Sequence, residues 1–157
     1  MNFHAIASTT TYALTAAGGG RSMVRAEVGA DESWYDGFFL CDPGLPHGAE
    51  VTKVQFTIRD VTDQAEVRYC ALVRTGLSAL SAIQEPTVMA QVPSTGRVAK
   101  PGVVRRSTTS ITGAIIDNQK FGYTLQCQLD WDEATIAADG AGIYGANVTY
   151  RIDSADG

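Results

Sequence analysis

The chain has 157 residues, of which 45% are hydrophobic and 18% are charged, and its formal net charge is −5. This length predicts one domain with a core of its own, and the acidic balance argues against a nucleic-acid-binding protein, which normally carries a basic surface. The sequence contains no run of 18 or more apolar residues, so no membrane-spanning helix is expected.

The first 20 residues are expected to form an arm or a first strand of the single domain, residues 1–157. Residues 9–14 are rich in β-branched and aromatic side chains, which favours a strand, and the glycines at 18–20 end it. The first six residues have neither a basic n-region nor an apolar h-region. This start predicts no signal peptide and synthesis in the cytoplasm, as for a subunit of a viral or extracellular particle.

Alternating polar and apolar side chains predict strands along the first half of the chain. Residues 23–28 alternate, and residues 34–41 form an aromatic centre that is expected to be a buried strand. Turn-forming residues at 42–49 lead into half-buried strands at 51–60 and 66–74. In the strand at 66–74, the face with Cys70 and Leu72 also carries Arg68 and Arg74, and such a mixed face is expected where a neighbouring subunit covers part of it.

The second half continues the same pattern. Residues 77–83 have apolar positions at helical spacing, sufficient for one or two helical turns, and residues 87–92 are predicted to be a short strand. In residues 121–130 and 144–152 the side chains alternate cleanly, with the tyrosines at 123, 144 and 150 assigned to the apolar, core-facing side. Eight to ten short strands without a long helix predict an all-β, antiparallel two-sheet β-sandwich of jelly-roll type.

Cysteine and histidine are too sparse for the common catalytic and metal sites. Cys41, Cys70 and Cys127 are odd in number and far apart, so a disulfide framework is not expected, and Cys127 is assigned to core packing. His4 and His47 are too few for a histidine-based hydrolase or a cupin-type metal site. No catalytic residue, cofactor or metal ligand is predicted.

Two clusters of residues are the candidates for ligand binding. Trp34 and Tyr35 stand at the loop end of their strand, where an aromatic shelf could stack on a sugar ring. Trp131 lies among the carboxylates Asp130, Asp132 and Glu133 in the sequence. Such a group has the chemistry for sugar binding or for the acid–base pair of a glycosidase, and three oxygen donors in a loop could hold Ca²⁺. The spacing matches no calcium loop, however, and a solvated acidic loop is the preferred interpretation.

Three short segments carry a resemblance to known proteins. They are Leu-Pro-His-Gly-Ala at 45–49 followed by Val51-Thr52, Ile-Asp-Asn at 116–118, and Tyr-Gly-Ala-Asn-Val-Thr-Tyr at 144–150. In this order, over residues 40–152, they resemble a loosely defined group of bacterial β-sandwich proteins without established activity. The resemblance implies a jelly-roll-like unit that assembles into rings or trimers, and it implies no catalytic residues.

Three functional hypotheses follow, in order of preference. The first is a non-enzymatic structural or binding subunit that assembles into a symmetric homo-oligomer, a trimer in the first instance, as a shell, spike, appendage or receptor-binding head. The second is a carbohydrate-binding module that uses exposed aromatic residues, and the third is a sugar-active enzyme with paired carboxylates. The expected partners are a second copy of the chain, a glycan or another protein. The polar outer faces of the two C-terminal strands, or the loop at 131–142, are predicted to be the contact surface.

Overall fold

A computed structural model of the chain describes residues 4–5, 11–17, 21–27, 34–60, 65–77, 86–94, 96, 102–132 and 141–152. Ten β-strands lie within these residues: β1 (His4–Ala5), β2 (Thr11–Ala17), β3 (Arg21–Glu27), β4 (Trp34–Cys41), β5 (Glu50–Asp60), β6 (Ala65–Gly76), β7 (Thr87–Val92), β8 (Val103–Thr108), β9 (Phe121–Asp132) and β10 (Ala141–Arg151). In the described part of the chain, no helix has the length and apolarity needed to cross a membrane. The predicted helical turns fall largely on residues 78–85, outside the described residues.

The strands form two five-stranded antiparallel sheets. Sheet A has the order β1-β4-β9-β6-β7, and sheet B has the order β2-β3-β10-β5-β8. From β3 onward the chain crosses between the sheets at every step except β6 to β7, so that each sheet takes four of the last eight strands. This is the strand order of a jelly roll, and β1 and β2 extend it by one strand on each sheet. The predicted fold class is therefore confirmed.

The core lies between the two sheets and follows the alternation of the sequence. Its largest fully buried side chains come from both sheets, among them Phe56 and Ile58 of β5 and Leu125 and Leu129 of β9. The alternate positions of β5, at 53, 55, 57 and 59, are only half-buried. β5 thus gives one face to the core and leaves the other for contacts.

The two C-terminal strands lie in different sheets, and the predicted core face of the second is correct at Ala146 and Val148 but wrong at its tyrosines. Ile143 is fully buried, Ala146 and Val148 pack against the core, but Tyr144 is half-buried and Tyr150 is 42% exposed. The pairing of β10 with β5 shifts register between Ile143 and Gly145 and again between Thr149 and Tyr150. The first shift inserts Tyr144 as an extra residue in β10, and the second inserts Thr52 as an extra residue in β5. Only the first therefore changes the face on which the following β10 side chains lie, and sequence alternation alone does not reveal it.

A bulge also changes the interpretation of β6. Its pairing with β9 shifts between Val67 and Tyr69, so Val67, Cys70 and Leu72 all face the core and are buried. The face around Leu72, which the sequence suggested for a neighbouring subunit, is therefore part of this chain's own core. That argument for an oligomer no longer applies.

The structure contains a disulfide bond that the sequence analysis did not expect. Cys70 of β6 and Cys127 of β9 are directly opposite in the register, with their Cα atoms 4.1 Å apart, and their sulfur atoms are bonded. Both residues are fully buried. The bond joins the two central strands of sheet A across 57 residues of sequence. Cys41 is also buried, and its thiol donates to the carbonyl of Asp42 at 3.4 Å.

Candidate functional site

A polar groove of about 420 Å³ crosses the outer face of sheet B. Side chains and backbone from three neighbouring strands line it: Gln55, Thr57, Arg105, Tyr144, Gly145, Ala146 and Asn147. The register explains why these distant residues meet. Gln55 is opposite Asn147, and Thr57 lies between Gly145 of β10 and Arg105 of β8.

The bulge in β10 shapes the groove at its centre. Tyr144 stands at the register shift, where its ring is half-buried and borders the groove instead of entering the core. Gly145 follows it, and a Cβ atom built on Gly145 would have no atom within 4 Å. The missing side chain therefore leaves open space in the middle of a sheet face whose other positions carry side chains.

The polar groups of the groove are available to a ligand. Among the described residues, the side chains of Gln55, Thr57 and Arg105 have no hydrogen-bond or ion-pair partner within the protein. Asn147 has one long contact, a bond of 3.5 Å that its Oδ1 accepts from the Thr149 hydroxyl. On sheet A, by contrast, the Gln126 amide donates to the Tyr69 hydroxyl at 3.0 Å, so those two groups satisfy each other.

A second pocket, of about 320 Å³, lies at one end of the sandwich between residues 42–45 and 118–123. Its polar groups are engaged in holding loops together. The Asn118 side chain donates to the Leu45 carbonyl at 2.9 Å, and the Tyr123 hydroxyl accepts from the Asp117 N–H at 2.7 Å. The Asn118 N–H donates to His47 Nδ1 at 3.1 Å. These bonds indicate a structural role.

Asp117 stabilises the same loop through its charge. Burial pushes the pKa of the Asp117 carboxyl up, but hydrogen bonds from Lys120 and from the Gln119 N–H, with the charges of Lys120 and His47, outweigh burial and lower the pKa below its usual value. The Lys120 ammonium lies 3.2 Å from the carboxylate. The pair closes the turn that leads into β9.

The predicted ligand-binding residues lie away from the groove, on sheet A. The register places Trp34 opposite Asp132 and Tyr35 opposite Trp131, so residues almost a hundred positions apart in sequence meet at one end of β4 and β9. Glu133 lies outside the described residues. Their role in binding stays a prediction.

The groove residues were missed by sequence reasoning for two reasons. Tyr144 was assigned to the core because strict alternation was assumed, although a glycine inside a strand pattern, here Gly145, is a signal for a bulge. Gln55, Thr57 and Arg105 look like ordinary solvent-facing strand positions, and only the topology brings them beside Asn147. The polar face of β10, predicted as a contact surface, does supply Gly145 and Asn147 to the groove.

Residues that could hold a metal ion are not grouped in the described part of the chain, where no three His, Cys, Asp or Glu side chains converge. The described lining of the groove contains neither a carboxylate nor a histidine. The chemistry that this lining offers is hydrogen bonding by amides and a hydroxyl, one guanidinium charge and one aromatic ring.

No protein-family model matches the sequence, and no curated protein matches it. A solved structure with a similar fold contains the CBM22-1 and GH10 modules of the N-terminal endo-1,4-β-D-xylanase 10B of Clostridium thermocellum, complexed with xylohexaose. The identity is 14% and the TM-score 0.46, over 96% of this chain and 27% of that one. At these values the likeness carries no information on the ligand of this chain, and the resemblance to the bacterial β-sandwich group stays a prediction.

Proposed function

We propose that this chain is a non-catalytic carbohydrate-binding jelly roll that holds a glycan in the groove around Gly145. The observation that carries the proposal is the set of polar side chains around an open centre, of which Gln55, Thr57 and Arg105 have no described partner and Asn147 has one long contact. Amides such as Gln55 and Asn147 can donate and accept at once, which suits the paired hydroxyl groups of a sugar ring. Tyr144 supplies an aromatic surface beside them, as ligand sites commonly combine apolar and placed polar groups.

The described lining of the groove lacks the carboxyl groups that a glycosidase needs. Glycoside hydrolysis by the usual mechanisms requires two carboxyl groups on either side of the scissile bond. The described lining residues offer amides, a hydroxyl and a guanidinium instead. Binding without turnover is the activity that this chemistry supports.

Filling the open centre tests the proposal. A Gly145→Leu variant is expected to weaken glycan binding by about tenfold or more, because the side chain occupies the space in which the ligand lies. The fold should remain intact, since the new Cβ atom meets no neighbour and the backbone of Gly145 is not in the left-handed region. Isothermal titration calorimetry gives the affinity and thermal unfolding gives the stability.

A matched control separates blocking from a general surface effect. Gln91→Leu adds the same side chain at an exposed position on sheet A and should leave glycan affinity unchanged. The glycan affinity of Gly145→Ala should lie between that of the wild type and that of Gly145→Leu. Equal affinity of Gly145→Leu and the wild type would refute the groove as the binding site.

Self-assembly is a second candidate function, favoured by apolar side chains exposed near one end of sheet B. Ile115 and Ile152 are each 57% exposed and Tyr150 is 42% exposed. Ile115 is bridged to Glu50, and Glu50 is opposite Arg151, so the three apolar residues belong to one corner of the sheet. A symmetric oligomer joined there would present several grooves at once and raise avidity for a polymeric glycan.

Light scattering tests the oligomer directly. We expect a mass at micromolar concentration that is a multiple of 16.7 kDa, and a shift to the monomer mass when Ile115 and Ile152 are both changed to Asp. The matched control Leu77→Asp, at a residue 56% exposed outside this corner, should keep the wild-type mass. A wild-type mass of 16.7 kDa would contradict self-assembly and leave glycan binding unaffected.

A further inference from the structure

The outer face of sheet B carries cations in a protein whose net charge is −5. Lys53 and Arg59 occupy the same alternation of β5 as Gln55 and Thr57, and Arg105 of β8 borders the groove. Among the described residues, neither Lys53 nor Arg105 has a carboxylate within ion-pair distance. The two cations nearest the groove therefore have no described carboxylate to neutralise them.

One carboxylate on this face is already neutralised. Glu50, at the start of β5, accepts a hydrogen bond of 2.6 Å from Arg151 Nε and forms an ion pair with the same guanidinium. The pair lies at the end of the sheet, three residues along β5 from Lys53. It leaves the positive charges of Lys53 and Arg105 without a negative counterpart on the described face.

We propose that the glycan bound in this groove is acidic, a polymer that carries carboxylate or sulfate groups. The inference rests on the proposed function and names the substrate class for the same site. Arg105 can form two parallel hydrogen bonds with a carboxylate or sulfate group, which a neutral sugar cannot match in strength. Lys53 stands four residues from Thr57 on the same side of β5, about 13 Å along the strand, so a chain laid along β5 passes both cations.

A nucleic acid would be a poorer match for the same charges. Binding to a phosphate backbone generally draws on many Lys and Arg contacts and a basic domain. This chain has 12 Lys and Arg residues against 17 Asp and Glu. The groove itself is lined mainly by amide and hydroxyl groups, which suit sugar hydroxyls.

The test compares acidic with neutral glycans. The acidic probes are polygalacturonate, alginate, hyaluronan and chondroitin sulfate, and the neutral probes are xylan, galactomannan and mixed-linkage glucan. We expect binding to at least one acidic probe, with affinity that falls as salt is raised and a loss of binding when its carboxyl groups are reduced to alcohols. Arg105→Gln should weaken this binding by about tenfold or more, and Lys53→Gln by less.

The control variant removes the same charge elsewhere. Arg68→Gln, at an exposed position on β6 of sheet A, should leave the affinity unchanged. A different result would be that the wild type binds a neutral probe, with binding that Gly145→Leu abolishes and Arg105→Gln leaves unchanged. That result would overturn the acidic ligand and keep the proposed function. Absence of binding to every glycan probe would overturn both the acidic ligand and the proposed function. Tighter binding to a single-stranded DNA oligonucleotide than to any acidic glycan would also overturn the inference.

Discussion

Replacing both Cys70 and Cys127 with alanine will lower the free energy of unfolding by about 2–5 kcal/mol, the range typical of a lost native disulfide. The bond closes a segment of 57 residues, and a loop of that length gains much conformational freedom in the unfolded chain once the bond is absent. The two residues are fully buried between the central strands of sheet A, so the native state keeps its register through the surrounding core. Chemical denaturation monitored by circular dichroism measures the difference.

Reducing agent provides the control for this prediction. Adding a thiol reductant during unfolding should destabilise the wild type and a Cys41→Ala variant alike, because both retain the bond, and should have no effect on the double variant. If reductant leaves wild-type stability unchanged, the two cysteines are not bonded in solution. A disulfide is most often retained in an oxidising environment, so the same experiment bears on where the protein works.

Phe56→Ala is the single substitution with the largest expected effect on stability. Phe56 is fully buried in the middle of β5, where Ala146 of β10 is its register partner on one side. Removing the ring leaves a cavity between the sheets, and such changes cost about 3–5 kcal/mol. Denaturant titration gives the change in the free energy of unfolding, provided that the variant and the wild type show the same dependence of this free energy on denaturant concentration.

Leu77→Ala serves as the matched control for the core prediction. Leu77 is 56% exposed, so its truncation should change the free energy of unfolding by no more than about 0.5 kcal/mol. A loss of less than about 1 kcal/mol in Phe56→Ala would mean that the space between the two sheets is not packed as described.

Sequence alternation was sufficient to predict the strands that build the sandwich. The predicted strand at 51–60 differs from β5 by one residue, and Leu125, Cys127 and Leu129 are buried as their alternation in β9 indicates. These successes have one cause. A strand in a two-sheet sandwich has one core-facing side and one solvent-facing side, so its apolar and polar residues alternate with a period of two.

Features that depend on the register between strands were not predicted from the sequence. The bulge at Tyr144 turns that side chain away from the core, and the bulge after Val67 places Val67 on the same face as Cys70 and Leu72. Strict alternation predicts neither change. The pairing of Cys70 with Cys127 depends on β6 and β9 being neighbours, which is a property of topology. Spacing along the chain holds no information on it.

The candidate site illustrates the same limit. Trp34 and Trp131 were predicted to bind a ligand because large aromatic residues commonly stack on sugar rings. The register does bring their strands together on sheet A. The groove on sheet B is made of Gln55, Arg105 and Asn147, which are inconspicuous in isolation. Their significance arises from three strands meeting around Gly145, where a side chain is missing.

A glycan array of acidic and neutral polymers, probed with the wild type, Gly145→Leu and Trp34→Ala, tests the binding account most directly. The groove on sheet B predicts that the wild type binds an acidic glycan, that Trp34→Ala keeps this binding, and that Gly145→Leu loses it. Binding that survives in Gly145→Leu and disappears in Trp34→Ala would place the site at the end of β4 and β9 and contradict the account.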